Sequence, residues 1–147
     1  MKTPYGPLLS LRELEEKQAE ARLAEALHDV DHAEAEVSAA RGARDAWLHY
    51  YLDDTLGTVD ATALSTLLAR LEAIDRQASR RLEVARRRAD DARAALLERR
   101  RHREAVESLH TDLLKAAART AARRTQAELD EIGSRTTNAR RETSDAR

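Results

Sequence analysis

Cysteine and phenylalanine are both missing from the 147 residues, aromatic residues of any kind make up 3%, and proline occurs only twice. Without cysteine there is no disulfide scaffold and no thiolate-held metal, and the chain suits a reducing compartment. Without phenylalanine, and with a single tryptophan, little is available to fill a wide globular core. A roomy active site is therefore not expected. Both prolines, Pro4 and Pro7, fall in the first seven residues, so nothing of that kind interrupts a helix later. No stretch approaches the ~20 apolar residues of a membrane span. The opening Met-Lys-Thr-Pro-Tyr-Gly-Pro-Leu-Leu also lacks the apolar run of a signal peptide. The expectation is a cytoplasmic protein. Its formal net charge of -1 supplies no overall field to draw in nucleic acid or an anionic membrane.

What the chain does have is alanine, leucine, arginine and glutamate, with 36% of its residues charged. Strong helix formers with charge along the whole length are the composition of long helices and coiled coils. Pro4, Gly6 and Pro7 keep the first residues out of a helix, and Ser10-Leu-Arg-Glu13 offers an S-x-x-E capping box that opens one. Only Gly42 interrupts it before Asp54, which predicts a first helix over 10–54. Turn chemistry then appears at 55–60, where Gly57 can end a helix and Asp60 or Thr62 can begin the next. A second helix follows over 61–132, and Gly133 opens a flexible tail to 147. The predicted fold is all-α, a single antiparallel two-helix coiled-coil hairpin whose second helix overhangs the first.

Steps of three and four residues test that prediction. They give Leu23, Ala26, Val30, Ala33, Val37, Ala40, Arg44, Trp47 and Tyr51 on the first helix. On the second they give Leu64, Leu68, Leu71, Asp75, Ala78, Leu82, Ala85, Ala89, Ala92 and Leu96. Each is a coiled-coil seam with one polar interruption. Charge favours the pairing. Between Glu13 and Glu36 the first helix carries nine acids against Lys17 and Arg22, and folding back about Gly57 sets it beside 78–101, where Arg80, Arg81, Arg86 to Arg88, Arg93 and Arg99 to Arg101 dominate. The same alignment brings Trp47, Leu48, Tyr51 and Leu52 to Leu64, Leu67 and Leu68, which predicts that the tip is the best-packed part.

Sites for chemistry are few. His28 and His32 lie one turn apart near Glu25 and Glu36, a metal-ligand spacing, but no further histidine faces them, and solvated imidazoles explain them better. They do not form H-E-x-x-H. The run Arg99-Arg100-Arg101-His102-Arg103 could grip phosphate, yet no aromatic is interleaved for base stacking, and a salt-bridged flank explains it. There is no glycine-rich phosphate loop, and a two-helix hairpin has no pocket in which to assemble a triad. An enzyme is not expected. The overhang carries more information. The first helix runs out opposite about residue 104, while the second continues through Val106, Leu109, Leu113, Leu114, Ala117, Ala118, Ala121 and Ala122. Such a stripe calls for another protein, unless residues 1–9 fold over part of it, the helix frays, or two copies pair.

The acidic leucine-rich opening, the segment Leu67-Leu-Ala-Arg-Leu-Glu-Ala-Ile-Asp-Arg-Gln77 and the run Arg123-Arg-Thr-Gln-Ala-Glu-Leu-Asp-Glu131 together resemble the flagellar FliJ family of export stalk proteins. YscO-type injectisome proteins are similar, and the late run leans toward the flagellar group. The resemblance implies a coiled coil like the central stalk of rotary ATPases. Its implied partners are a hexameric export ATPase, a membrane export gate protein and export chaperones. It implies a place at the inner face of the cell membrane, a monomer when alone, no nucleic acid and no cofactor. Its gate-binding face maps to Leu67, Leu68, Leu71, Ile74 and Ala78. Relatives often have an aromatic at the first of these positions and a polar or basic group at the last, where this chain has leucine and alanine. Its ATPase end maps to Arg123, Arg124, Gln126, Leu129, Asp130 and Glu131, with Leu11 and Leu14 from the first helix. The overhang residues Leu109 and Leu113 join that end. A self-assembling coiled-coil scaffold is the rival reading, and a basic-helix binder of nucleic acid or membrane is a third.

Overall fold

The computed structural model describes residues 3–52 and 61–146, so the reversal expected at Gly57 and the cap at Asp60 lie outside the described residues. Two helices account for nearly all of the rest: α1 (Gly6–Leu52, 47 residues) and α2 (Ala61–Asp145, 85 residues). Among the described residues there is no strand, and no helix is long and apolar enough to cross a membrane. The fold is the expected all-α hairpin, with α1 and α2 packed against each other.

Both outer helix ends differ from the sequence reading. α1 begins at Gly6, not at Ser10. The Gly6 amide donates to the Thr3 carbonyl at 3.2 Å and the Leu9 amide to the Tyr5 carbonyl at 2.8 Å. Pro7 thus sits in the first turn, where an amide has no intrahelical acceptor and its absence costs nothing. Ser10 is already inside the helix, and its hydroxyl donates back to the Gly6 carbonyl at 3.3 Å. At the other end α2 does not stop at 132 but passes through Gly133 to Asp145. A Cβ at Gly133 would meet nothing within 4 Å. That glycine is therefore only a local propensity cost of ~1 kcal/mol, which the strong helix formers around it outweigh.

Leu14–Arg101 forms one compact unit, and Met1–Glu13 with His102–Arg147 forms a second. In the first, ion pairs fix an antiparallel arrangement, because partners on α2 fall in number as those on α1 rise. Glu15 meets Arg99 at 3.3 Å, Glu34 meets Arg86 at 3.0 Å, and Arg41 meets Asp75 at 3.3 Å. Arg100 reaches both Glu16 and Glu20, at 3.1 and 3.3 Å, and Arg81 reaches Glu36 at 3.6 Å. The acidic block does face the basic one. The arginines of these pairs are exposed, while the side chains of Glu15, Glu16 and Asp75 are partly covered; a pair exposed on both sides, such as Glu34–Arg86, contributes ~0–1 kcal/mol.

The buried apolar residues follow the two predicted seams, with Ala19 continuing the first a turn beyond Leu23. Ala19, Ala33, Val37 and Ala40 on α1 meet the company of Leu71, Ala78, Ala85, Ala89 and Leu96 on α2, with Val37, Ala40, Ala78 and Leu82 forming a local core. Alanine at so many of these positions lets the backbones approach closely. The expected tip is corrected. Trp47 is 44% exposed and Leu48 is also exposed, so these two do not make a well-packed tip, and the side chain of Leu52 lies outside the described residues. Trp47 packs edge-on against Tyr50, with ring centroids 6.0 Å apart and planes at 86°.

In the second unit the turns of α1 as far as Glu13 are accompanied by α2 from His102. Thr3 is buried, with its hydroxyl 2.5 Å from His110 Nδ1. Residues before α1 do fold over α2, and the intramolecular cover reaches His110, beyond the expected limit near residue 104.

Two outcomes test this account. Ala89, 3% exposed, has no space for added methyl groups, so Ala89→Leu should lower stability by ~1–3 kcal/mol in a thermal melt. Ala94→Leu, at an exposed position, should leave the melt unchanged. Gly133→Ala should slow amide hydrogen exchange on the last turns of α2 by about two- to fivefold, and unchanged exchange would mean those turns are not helical in solution.

Candidate functional site

Two sets of residues are candidates for contact with other proteins. The first belongs to the end of α2. From Ala118 to Ala146 every residue is exposed, and only Ala117 is half-buried among those from Thr111. Leu109, Leu113, Leu114, Leu129 and Ile132 are all exposed, the last two at 58% and 60%. Leu114, Ala118, Ala121, Thr125, Leu129 and Ile132 recur at intervals of four, three, four, four and three residues, which keeps them on one helical face. Sequence reasoning stopped this stripe at Ala122 and missed Ile132, which lies beside the glycine taken to end the helix. The continuing interval of three and four was the signal that could have found it.

The polar residues expected here share that bare helix. Gln126 donates to Asp130 at 2.8 Å, and Glu131 accepts from Arg135, four residues on, at 2.5 Å. Arg123 and Arg124 are exposed beside them. Leu11, exposed on α1, belongs to the same unit, whereas Leu14, also exposed, belongs to the other. A long apolar stripe flanked by charge, with its backbone already helical, can dock against a protein surface; it offers no group positioned for catalysis.

The second set lies early in α2. Leu67 and Leu68 are half-buried, Leu71 and Ala78 are buried in the seam, and Ile74 is 52% exposed. Helix geometry explains the split: Leu71 and Ala78 share the seam face with Ala85, while Ile74 turns off it. The five do not form one open surface, and Ile74 is the one freely available.

The remaining constellations have no ligand-like geometry. His32 Nδ1 lies 3.6 Å from Glu36, His28 is exposed, and among the described residues no group of three or more His, Cys, Asp or Glu could hold a metal. In the arginine-rich run, Arg99 and Arg100 face Glu15, Glu16 and Glu20 within their unit, and Arg103 pairs with Glu104 and Glu107 within its own. That run behaves as a salt-bridged flank. Shallow grooves beside the seam are lined by residues such as Asp29, Glu36, Arg81 and Arg88, and they lie open to water.

A family model for the flagellar FliJ protein matches residues 1–142 of the 147. No curated protein and no solved structure matches the chain. The match runs through both helices and takes in most of the bare end of α2, which is the part that the fold leaves without cover. It carries a coarse role with it, that of a non-enzymatic component of the flagellar export apparatus. Over nearly its whole length, then, the chain belongs to the flagellar FliJ protein family.

Proposed function

We propose that the chain is a stalk and coupling component of flagellar protein export. In this reading the bare end of α2 enters a hexameric export ATPase, and the early part of α2 meets the membrane export gate. The protein also escorts export chaperones and works at the inner face of the cell membrane. The supporting observation is the exposure of every residue from Ala118 to Ala146 on a continuous helix. A preformed helix with an uncovered apolar stripe can fill a socket in a ring without first being ordered, which removes one of the main costs of association.

Within this proposal Leu109, Leu113, Leu129 and Ile132 supply apolar contact at the ATPase end. Arg123, Arg124, Gln126, Asp130 and Glu131 supply the polar surround, and Leu11 and Leu14 add contacts from α1. At the gate Ile74 is the leading contact, flanked by Leu67 and Leu68. Leu71 and Ala78 serve it indirectly, by holding this part of α2 against α1.

Substoichiometric amounts of the chain should raise the rate of ATP hydrolysis by the cognate hexamer, and truncation after Arg119 should abolish the effect. Hydrolysis indifferent to the full chain would rule the ATPase role out. Leu129→Asp and Ile132→Asp should each weaken the stimulation about tenfold, the scale of a central interface contact, while far-UV helicity is retained. The rival, a self-assembling scaffold using the same stripe, predicts concentration-dependent oligomers in sedimentation velocity. A single elongated monomer at micromolar concentration excludes it.

A further inference from the structure

In the middle of the seam of the Leu14–Arg101 unit one charged residue on each helix interrupts the apolar run, and the two face each other. Arg44 Nη1 lies 3.4 Å from Asp75 Oδ2, while the other carboxylate oxygen accepts from Arg41 Nε at 3.3 Å and from the Ser79 hydroxyl at 3.3 Å. Asp75 is well covered, its side chain 17% exposed, and Arg44 is 33% exposed. Arg44 also reaches the exposed Asp45 at 3.4 Å, so its guanidinium joins the two helices while keeping a link to water.

The rest of the seam is nearly degenerate. Alanine, valine and leucine recur at the same heptad spacing on both helices, so sliding one helix by seven residues, ~10 Å, again sets alanine, valine or leucine against alanine or leucine in most layers. The Arg–Glu pairs along the flanks discriminate less, because each belongs to a block of like charge with other members in reach, although Glu16, 13% exposed, is as well covered as Asp75. The polar layer objects most. A slip one way puts Asp75 against Val37 and Arg44 against Leu68; a slip the other way puts them against Tyr51 and Leu82. Either leaves two half-buried charges without each other, which is far costlier than moving a rim pair.

We propose that Arg44 and Asp75 form a register lock, selecting one axial alignment of α1 and α2 from several that the apolar seam would accept. A single polar layer in a coiled-coil seam can set register in this way, at no gain in stability over apolar residues. Arg41 and Ser79 strengthen the lock by occupying the second oxygen of Asp75. The inference goes beyond the stalk reading and holds whether or not an ATPase is the partner.

The chain has no cysteine of its own, so pairs of introduced cysteines report register without background. Ala40→Cys with Ala78→Cys marks the observed alignment, since both positions belong to one local core. Ala40→Cys with Leu71→Cys, or with Ala85→Cys, marks a slip of one heptad in either direction. With Arg44 and Asp75 intact, only the first pair should oxidise to a disulfide. In a chain carrying Arg44→Leu and Asp75→Leu, at least one slipped pair should rise about tenfold in cross-link yield while far-UV helicity stays the same. A chain that still cross-links only through the first pair overturns the proposal. Should the double leucine variant lose helicity, Arg44→Glu decides, because it sets two carboxylates together. Slipped cross-links should appear with it and vanish when Asp75→Arg is added, and their absence with Arg44→Glu alone equally overturns the lock.

Discussion

Close contact between alanine-rich helix faces is the constraint on which the rest depends. Ala19, Ala33, Ala40, Ala78, Ala85 and Ala89 are buried because small side chains let the two backbones come near, and the occasional valine or leucine then fills what space is left. Such a seam buries little apolar area per residue, so burial alone gives modest stabilisation at about 25 cal/mol per Å². Helix propensity and the many ion pairs along the flanks therefore carry a larger share here than in a globular domain.

Much of this was legible in the sequence because heptad spacing translates directly into which face is covered. Spacing alone places Val37, Ala40, Ala78 and Leu82 in the seam, where they form its core, and folding back about Gly57 sets the acidic stretch up to Glu36 beside its arginine-rich opposite, a pairing that charge favours. What spacing could not supply was size matching across the seam. Trp47 occupies a seam position by periodicity, yet the residues opposite must also leave room for it, and that is a property of two helices together. The helix ends failed for another reason. Ser10 and Glu13 satisfy a capping pattern, but proline tolerated in the first turn let the helix begin earlier, and Gly133 was given the weight of a terminator when a single glycine costs too little to end so long a helix.

The candidate contact residues were less legible than the fold. The sequence placed Leu71, Ile74 and Ala78 on one interaction face through the family resemblance, whereas two of the three are occupied in holding α2 to α1. A residue cannot be fully buried in an intramolecular seam and also open to a partner, and only the packed structure distinguishes the two. At the far end of α2 no such competition exists, so exposure and the apolar interval of three and four residues agree.

Gly133 gains a different meaning from this arrangement. An isolated helix of this length would have to nucleate for itself, an unfavourable step, but the bare part of α2 grows out of a packed segment and needs only propagation. Its order should therefore decay from Asp145 inward, each turn resting on the one before it. A glycine at 133, with nothing against it, is the weakest link in that chain of turns. It stands immediately after Ile132, so the apolar stripe lies wholly on the side of that link nearer the packed segment.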